Sequence, residues 1–205
     1  GQAGDRDLDR KPSRLPHAAL DLGHALREVG LAGVQIAPSI KDADDRLARV
    51  VGRQRVNALA AAWWLARTSQ IIASAERKAI ETAEILAAAL GLGIEVREAM
   101  HENDRSATGF LPPSEFEVVA DAFFANPTTS VRGWERAIDA QARIVREMEA
   151  VLERSAHGDV LIVGHGAVGT LLLCHYGNIP ISRAHDQPAG GGNYFTVLGH
   201  ERRLL

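Results

Sequence analysis

The stretch that most constrains the fold is DVLIVGHGAVGTLLL, residues 159–173. Val160 to Val163 is an uninterrupted apolar run, the mark of a strand covered on both faces. It stops at Gly164-His165-Gly166, and the apolar residues that follow are spaced for a helix over 166–175. Strand, glycine turn and helix in that order open a parallel α/β unit. The turn also fits G-x-G-x-x-G, Gly164 to Gly169, which in a dinucleotide-binding unit cradles pyrophosphate. That use needs a further strand and an acidic residue roughly 20 positions on. Here Asp186 falls in a Pro/Gly-rich segment, and one strand pattern remains before Leu205. The same geometry has a second use. Ligands collect beyond the carboxyl ends of parallel strands, a helix N-terminus favours an anion, and flanking glycines let the backbone approach a phosphate. A histidine placed there can be a donor to phosphate, a proton carrier or a nucleophile. His165 is the leading candidate, with Gly166 beside it as a backbone contact.

Upstream, short apolar runs alternate with helical periods. Residues 70–73 predict a strand, with Ser74 as N-cap of a helix over 75–90. Ala79, Ile80, Ala83, Leu86 and Leu90 give that helix one buried face, and Gly91 ends it. Residues 94–97 predict a second strand, followed by a long polar loop over 100–113 whose length suggests function. A helix over 114–124 starts at Ser114, and Trp134, Ile138, Val145, Met148 and Leu152 mark a longer one to about Arg154. A last strand is expected over 193–198. Before these come a helix over 16–29, a short strand over 31–36, a charged surface segment over 41–49 and a helix over 52–66. The pattern predicts a three-layer α/β fold, a mostly parallel sheet with helices on both faces. We expect one domain over 16–205 after a disordered arm, 1–15.

Composition excludes several functions. The net charge of −3 comes without blocks of one sign, so neither a nucleic-acid footprint nor a membrane-binding face is expected. No run reaches the roughly 20 apolar residues of a spanning helix, and residues 1–16 lack the apolar centre of a secretory signal. Cys174 stands alone in an apolar helical pattern, which reads as a buried structural thiol in a cytoplasmic protein. His101, His185 and Asp186 have no metal-ligand spacing, so neither metal nor cofactor is expected. Trp63, Trp64 and Phe123-Phe124 read as core. The Pro188–Phe195 segment, with three glycines, is either a turn into the last strand or a loop near a ligand; Asn193 and Arg183 are its substrate-contact candidates.

Three stretches together resemble one family. SAERKAIETAE, residues 74–84, resembles the S-x-x-x-R-A-x-x-T-A segment of the histidine phosphatase superfamily, which includes the cofactor-dependent phosphoglycerate mutases. LIVGHG, residues 161–166, looks like that family's second histidine motif, and Met100-His101-Glu102-Asn103-Asp104 lies where the family carries its acid. The resemblance covers roughly residues 52–198 and implies a phosphoglycerate mutase-like fold. It also implies a mechanism. A first histidine attacks phosphorus, arginines and the second histidine hold the phosphoryl oxygens, and a carboxylic acid protonates the leaving group before activating water. His165 would be the second histidine and Glu102 the acid, with Asp104 in reserve. The family's phosphate-binding arginine falls on Lys78, with Arg77 beside it, so one of these two is expected at the phosphate. No R-H-G occurs anywhere, and the only histidines before residue 52 are His17 and His24; His24 is the weak candidate nucleophile. Two functions follow. One is a metal-independent phosphohydrolase acting on phosphohistidine or a small phosphomonoester. The other is a pseudo-phosphatase that binds a phosphorylated ligand or protein without turnover.

Overall fold

The computed structural model describes residues 33–38, 46–155, 158–186 and 194–205. The expected arm and first helix, His17, His24, Asn193 and most of the 41–49 and Pro188–Phe195 segments lie outside them. The described elements are β1 (Gly33–Pro38), α1 (Arg46–Ala60), a short 3-10 turn (Trp63–Arg67), β2 (Thr68–Ser74), α2 (Arg77–Leu90), β3 (Ile94–Arg97), α3 (Pro113–Ala125), α4 (Ala137–Arg154), β4 (Asp159–Gly164), α5 (Gly166–Tyr176), β5 (Phe195–Leu198) and β6 (Arg203–Leu204). The strands form one sheet in the order β3-β2-β4-β1-β5-β6. β1 through β4 run parallel where they pair, while β5 runs antiparallel to β1, and β6 to β5.

Alternation along the strands builds two cores. Ile71, Ala73, Leu161 and Val163 face α1 and α2 through Val56, Ala79, Ala83 and Leu86. Ile72, Val160 and Ile162 face the other way, onto Ile144, Met148 and Val151 of α4 and Val168 and Leu172 of α5. Every residue of β4 is buried, as a strand covered on both sides requires. A third cluster joins Val119, Phe123 and Phe124 of α3 to Trp134, Ala137, Ala140 and Leu171, so α3 packs outside the α4–α5 layer. The expected three-layer α/β fold is the one observed.

Several boundaries differ from expectation. β1 sits two residues later than the expected 31–36. α1 begins at Arg46, inside the expected charged surface segment, and ends at Ala60 before the 3-10 turn that buries Leu65. Ser74 is not an N-cap: α2 starts at Arg77, with Glu76 at its cap position. Ser114 is not one either, because Pro113 occupies the first turn of α3 and Pro112 precedes it. Trp134 lies just before α4, buried against Phe123. Gly91 does end α2, at φ 67°.

Candidate active site

The parallel strands deliver their carboxyl ends to one side. Pro38 of β1 stands opposite Gly164 of β4, and Ala73 of β2 opposite Val163. Ser74, the last residue of β2, and His165, the first after β4, are therefore neighbours although 91 residues apart. The Ser74 hydroxyl lies 2.7 Å from His165 Nε2. Both side chains are buried, with His165 only 3% exposed. His165 adopts extended backbone and caps α5. A Cβ built on Gly164 or Gly166 would meet no described atom within 4 Å, so the turn leaves open space at the strand end.

Glu102 reaches the same turn from the loop after β3. Its carboxylate accepts the N–H groups of Ala167 (3.2 Å) and Val168 (3.1 Å), in the first turn of α5, and of its own neighbour Asn103 (3.2 Å). An acidic group there meets unpaired donors and the positive end of the helix dipole. Glu76 joins the two halves of the site. Its Oε1 accepts the Glu102 N–H at 2.7 Å and lies 3.4 Å from His165 Nε2, and its Oε2 lies 3.4 Å from Lys78 Nζ. Burial pushes the Glu76 carboxyl up, but the Glu102 N–H, His165 and Lys78 outweigh it, and the net direction is down. Burial pushes the His165 imidazole below its ordinary range, and the Lys78 and Arg105 charges act with it. The Glu102 and Glu76 carboxylates oppose this without reversing it. Folding thus favours the neutral imidazole, and an arriving dianion would favour the charged one.

The structure brings His165, Glu102, Gly166 and Lys78 together. It separates Arg77 from them: its side chain is 82% exposed and pairs with Glu81 one turn along α2 at 2.8 Å. Lys78, one position on, is 18% exposed and turned inward to Glu76. Asp104 closes a turn by accepting the Ser106 N–H, and its own N–H donates to Glu135. His101 Nδ1 lies 2.6 Å from the Glu102 carbonyl, Arg183 is engaged by Glu117 and Asp121, and Asp186 accepts from Thr170. Cys174 is buried in α5, its thiol pushed up by burial. Among the described residues no three His, Cys, Asp or Glu side chains gather as metal ligands would. No helix among them is long and apolar enough to cross a membrane.

Sequence reasoning missed Ser74 and Glu76 as site residues. Ser74 stands at the head of the recognised segment, but an N-cap explained it equally well. Glu76 carries no local signal, since the partners that draw it into the site, Glu102 and His165, are 26 and 89 residues away in sequence. Arg143 was also missed. From α4 it donates to the carbonyls of Ala99 (2.8 Å), His101 (3.0 Å) and Glu102 (3.3 Å), and bidentately to Glu135 (3.0 and 2.8 Å). It holds the backbone that carries Glu102.

β1, the strand beside β4, reads GVQIAP and contains no histidine.

Residues 44–202 match the histidine phosphatase superfamily (branch 1). No curated protein matches the sequence. Solved structures share the fold. A mycobacterial glucosyl-3-phosphoglycerate phosphatase complexed with VO3 superposes with a TM-score of 0.70 at 18% identity, covering 85% of this chain and 96% of that one. Bacillus stearothermophilus YhfR gives 0.66 at 20% identity, over 81% and 90%. The phosphoserine phosphatase of Entamoeba histolytica, in complex with 3-phosphoglyceric acid, gives 0.66 at 12% identity, over 85% and 94%.

Proposed function

The chain belongs to the histidine phosphatase superfamily, branch 1, and on that premise we propose that it is a phosphohydrolase of small phosphomonoesters or of phosphohistidine. One observation carries the reading: His165, Lys78 and Glu102 converge, through Glu76 and the first turn of α5, at the carboxyl ends of β2 and β4. His165 and Lys78 meet the phosphoryl oxygens, and the charge of the dianion favours protonation of the imidazole as it binds. Lys78 supplies a point charge where a guanidinium would supply a fork. Glu102 protonates the leaving oxygen and then takes a proton from the attacking water. Ser74 holds the His165 ring in one orientation. His24, outside the described residues, is the candidate for the group that attacks phosphorus.

A second reading is favoured by β1. The strand that lies beside β4 carries no histidine, which suits a protein that binds a phosphorylated ligand without turning it over. The deciding experiment is turnover of an aryl phosphate without added metal, with trapping of phosphoenzyme, by the chain and by its His165→Ala and His24→Ala variants. Turnover that His165→Ala abolishes supports the hydrolase. Phosphate binding that depends on His165, with no turnover by the unaltered chain, selects the second reading. Turnover unaffected by His165→Ala sinks both.

A further inference from the structure

The guanidinium of Arg105 lies close enough to the site for its charge to act on His165. Arg105 is half-buried, three residues beyond Glu102, and no carboxylate or hydrogen-bond acceptor holds it among the described residues. Its guanidinium lies instead over two aromatic rings, 5.2 Å from the centroid of Phe116 and 5.7 Å from that of Trp134. The position of that shelf is fixed. Phe116 and Trp134 belong to the cluster into which Ala167 packs, and the Ala167 N–H is one of the donors to Glu102. Trp134 Nε1 donates to Thr108 Oγ1 at 2.9 Å, which pins the loop carrying Arg105. The chain between Glu102 and Arg105 is pinned as well: the Asp104 N–H donates to the Glu135 carboxylate, and the Asp104 carbonyl accepts the N–H of Glu135, next to Trp134. Arg105 therefore stands beside the cluster that Ala167 of the first turn of α5 enters, and its charge is felt at His165.

A guanidinium stacked on rings has spent its face and kept its N–H edges. Those edges form a planar fork matched to two oxygens of an oxyanion. Ordering a long cation on an aromatic shelf without an internal acid costs side-chain entropy and leaves the fork for a ligand. We infer that Arg105 recognises a second oxyanion, a carboxylate or a second phosphate, on the phosphorylated ligand that the His165 pocket holds. This rests on the proposed phosphate pocket and gives it a substrate class: phosphomonoesters with a second anionic group.

Calorimetric titration of the full chain tests it, with three probes. Propyl phosphate carries no second anion, 3-phosphoglycerate adds a carboxylate, and 1,3-propanediol bisphosphate adds a phosphate. The unaltered chain is expected to bind one or both two-anion probes at least tenfold more tightly than propyl phosphate. Arg105→Gln removes that preference and leaves propyl phosphate within twofold. Arg105→Lys, which keeps the charge and loses the fork, restores only part of it. Which two-anion probe responds identifies the second group. An equal preference in the chain and in Arg105→Gln, with propyl phosphate still bound, overturns the role of Arg105 alone. No binding of any probe by the unaltered chain, with its cooperative unfolding intact, overturns the phosphate pocket and this inference with it.

Discussion

Replacing Arg143 with Met tests whether the Glu102 loop is held by a buried ion pair. The Arg143 side chain is 12% exposed and that of Glu135 17%. The substitution keeps an apolar stem of similar length, removes five donated hydrogen bonds, and leaves the Glu135 carboxylate without its cation and three backbone carbonyls without this donor. Breaking a buried pair from one side costs about 3–5 kcal/mol, and the residual solvent contact here argues for the lower end, about 3 kcal/mol. For a chain of this length that lowers Tm by roughly 6–12 °C. The double variant Arg143→Met/Glu135→Gln is expected to recover part of the loss, because the stranded charge is gone while Gln still offers an oxygen to the Asp104 N–H. Acidity supplies a second reading. Burial raises the Glu135 carboxyl, but Arg143 and the Asp104 N–H outweigh it and hold it below its ordinary 4.5. A depressed carboxylate stabilises the fold above 4.5, and that contribution is lost as pH falls through the folded value. Without Arg143 only burial and the weaker contacts act on it, so the gap between the chain and Arg143→Met narrows on acidification. Denaturant unfolding at pH 7 and pH 4 measures both. A loss under 1 kcal/mol at pH 7, or a gap that widens at pH 4, refutes the clamp.

Other substitutions probe the site and the frame. Glu102→Gln is expected to lower aryl phosphate turnover at least a hundredfold with only a small fall in Tm, since the amide oxygen still accepts from Val168 while one donor, that of Ala167, loses its partner; turnover within tenfold would exclude Glu102 as the acid. His165 has its pKa lowered on folding, so its burial weakens the fold as pH falls from 6.5 through the folded value, and His165→Gln should flatten stability over that range in a pH series of unfolding curves. Gly158 has φ +75°, and a Cβ there would stand 2.6 Å from Ser69 Oγ and 3.2 Å from the Arg67 carbonyl. Gly158→Ala should therefore cost about 1–3 kcal/mol in urea unfolding, whereas Gly93→Ala, with open space, should cost almost nothing.

The fold was legible where burial alone decides structure. The apolar runs of β2 and β4 and the helical stripe of α2 announce themselves because a strand or helix between two layers has no choice of pattern. Legibility failed where tertiary contacts override local rules. Ser74 has the chemistry of a cap, but its hydroxyl is drawn to His165 across 91 residues of sequence, and the helix waits until Arg77. Arg77 and Lys78 are equivalent as letters, and only the roughly 100° turn between successive helical residues sends one to Glu81 in solvent and the other inward to Glu76. His165 stood out because glycines flank it, and Glu102 because the resemblance places the family's acid in the long polar loop; the structure sets both at the turn between β4 and α5. Glu76, Arg105 and Arg143 did not stand out, because each acts through partners the chain brings from other elements.

The strand order has a bearing on how this protein fails. β5 and β6 reach the rest of the sheet through β1, which is inserted between β4 and β5. If β1 detaches, β4 loses one row of partners and β5 another at the same moment. Two unpaired backbone rows then stand side by side, one from β4, whose residues are all buried in the native fold. Such rows are templates for strands of other chains. A free peptide spanning residues 33–38, or the same strand lent by a second copy, would fill the slot. Loss of β1 would thus expose two such templates at once, where loss of an edge strand exposes one.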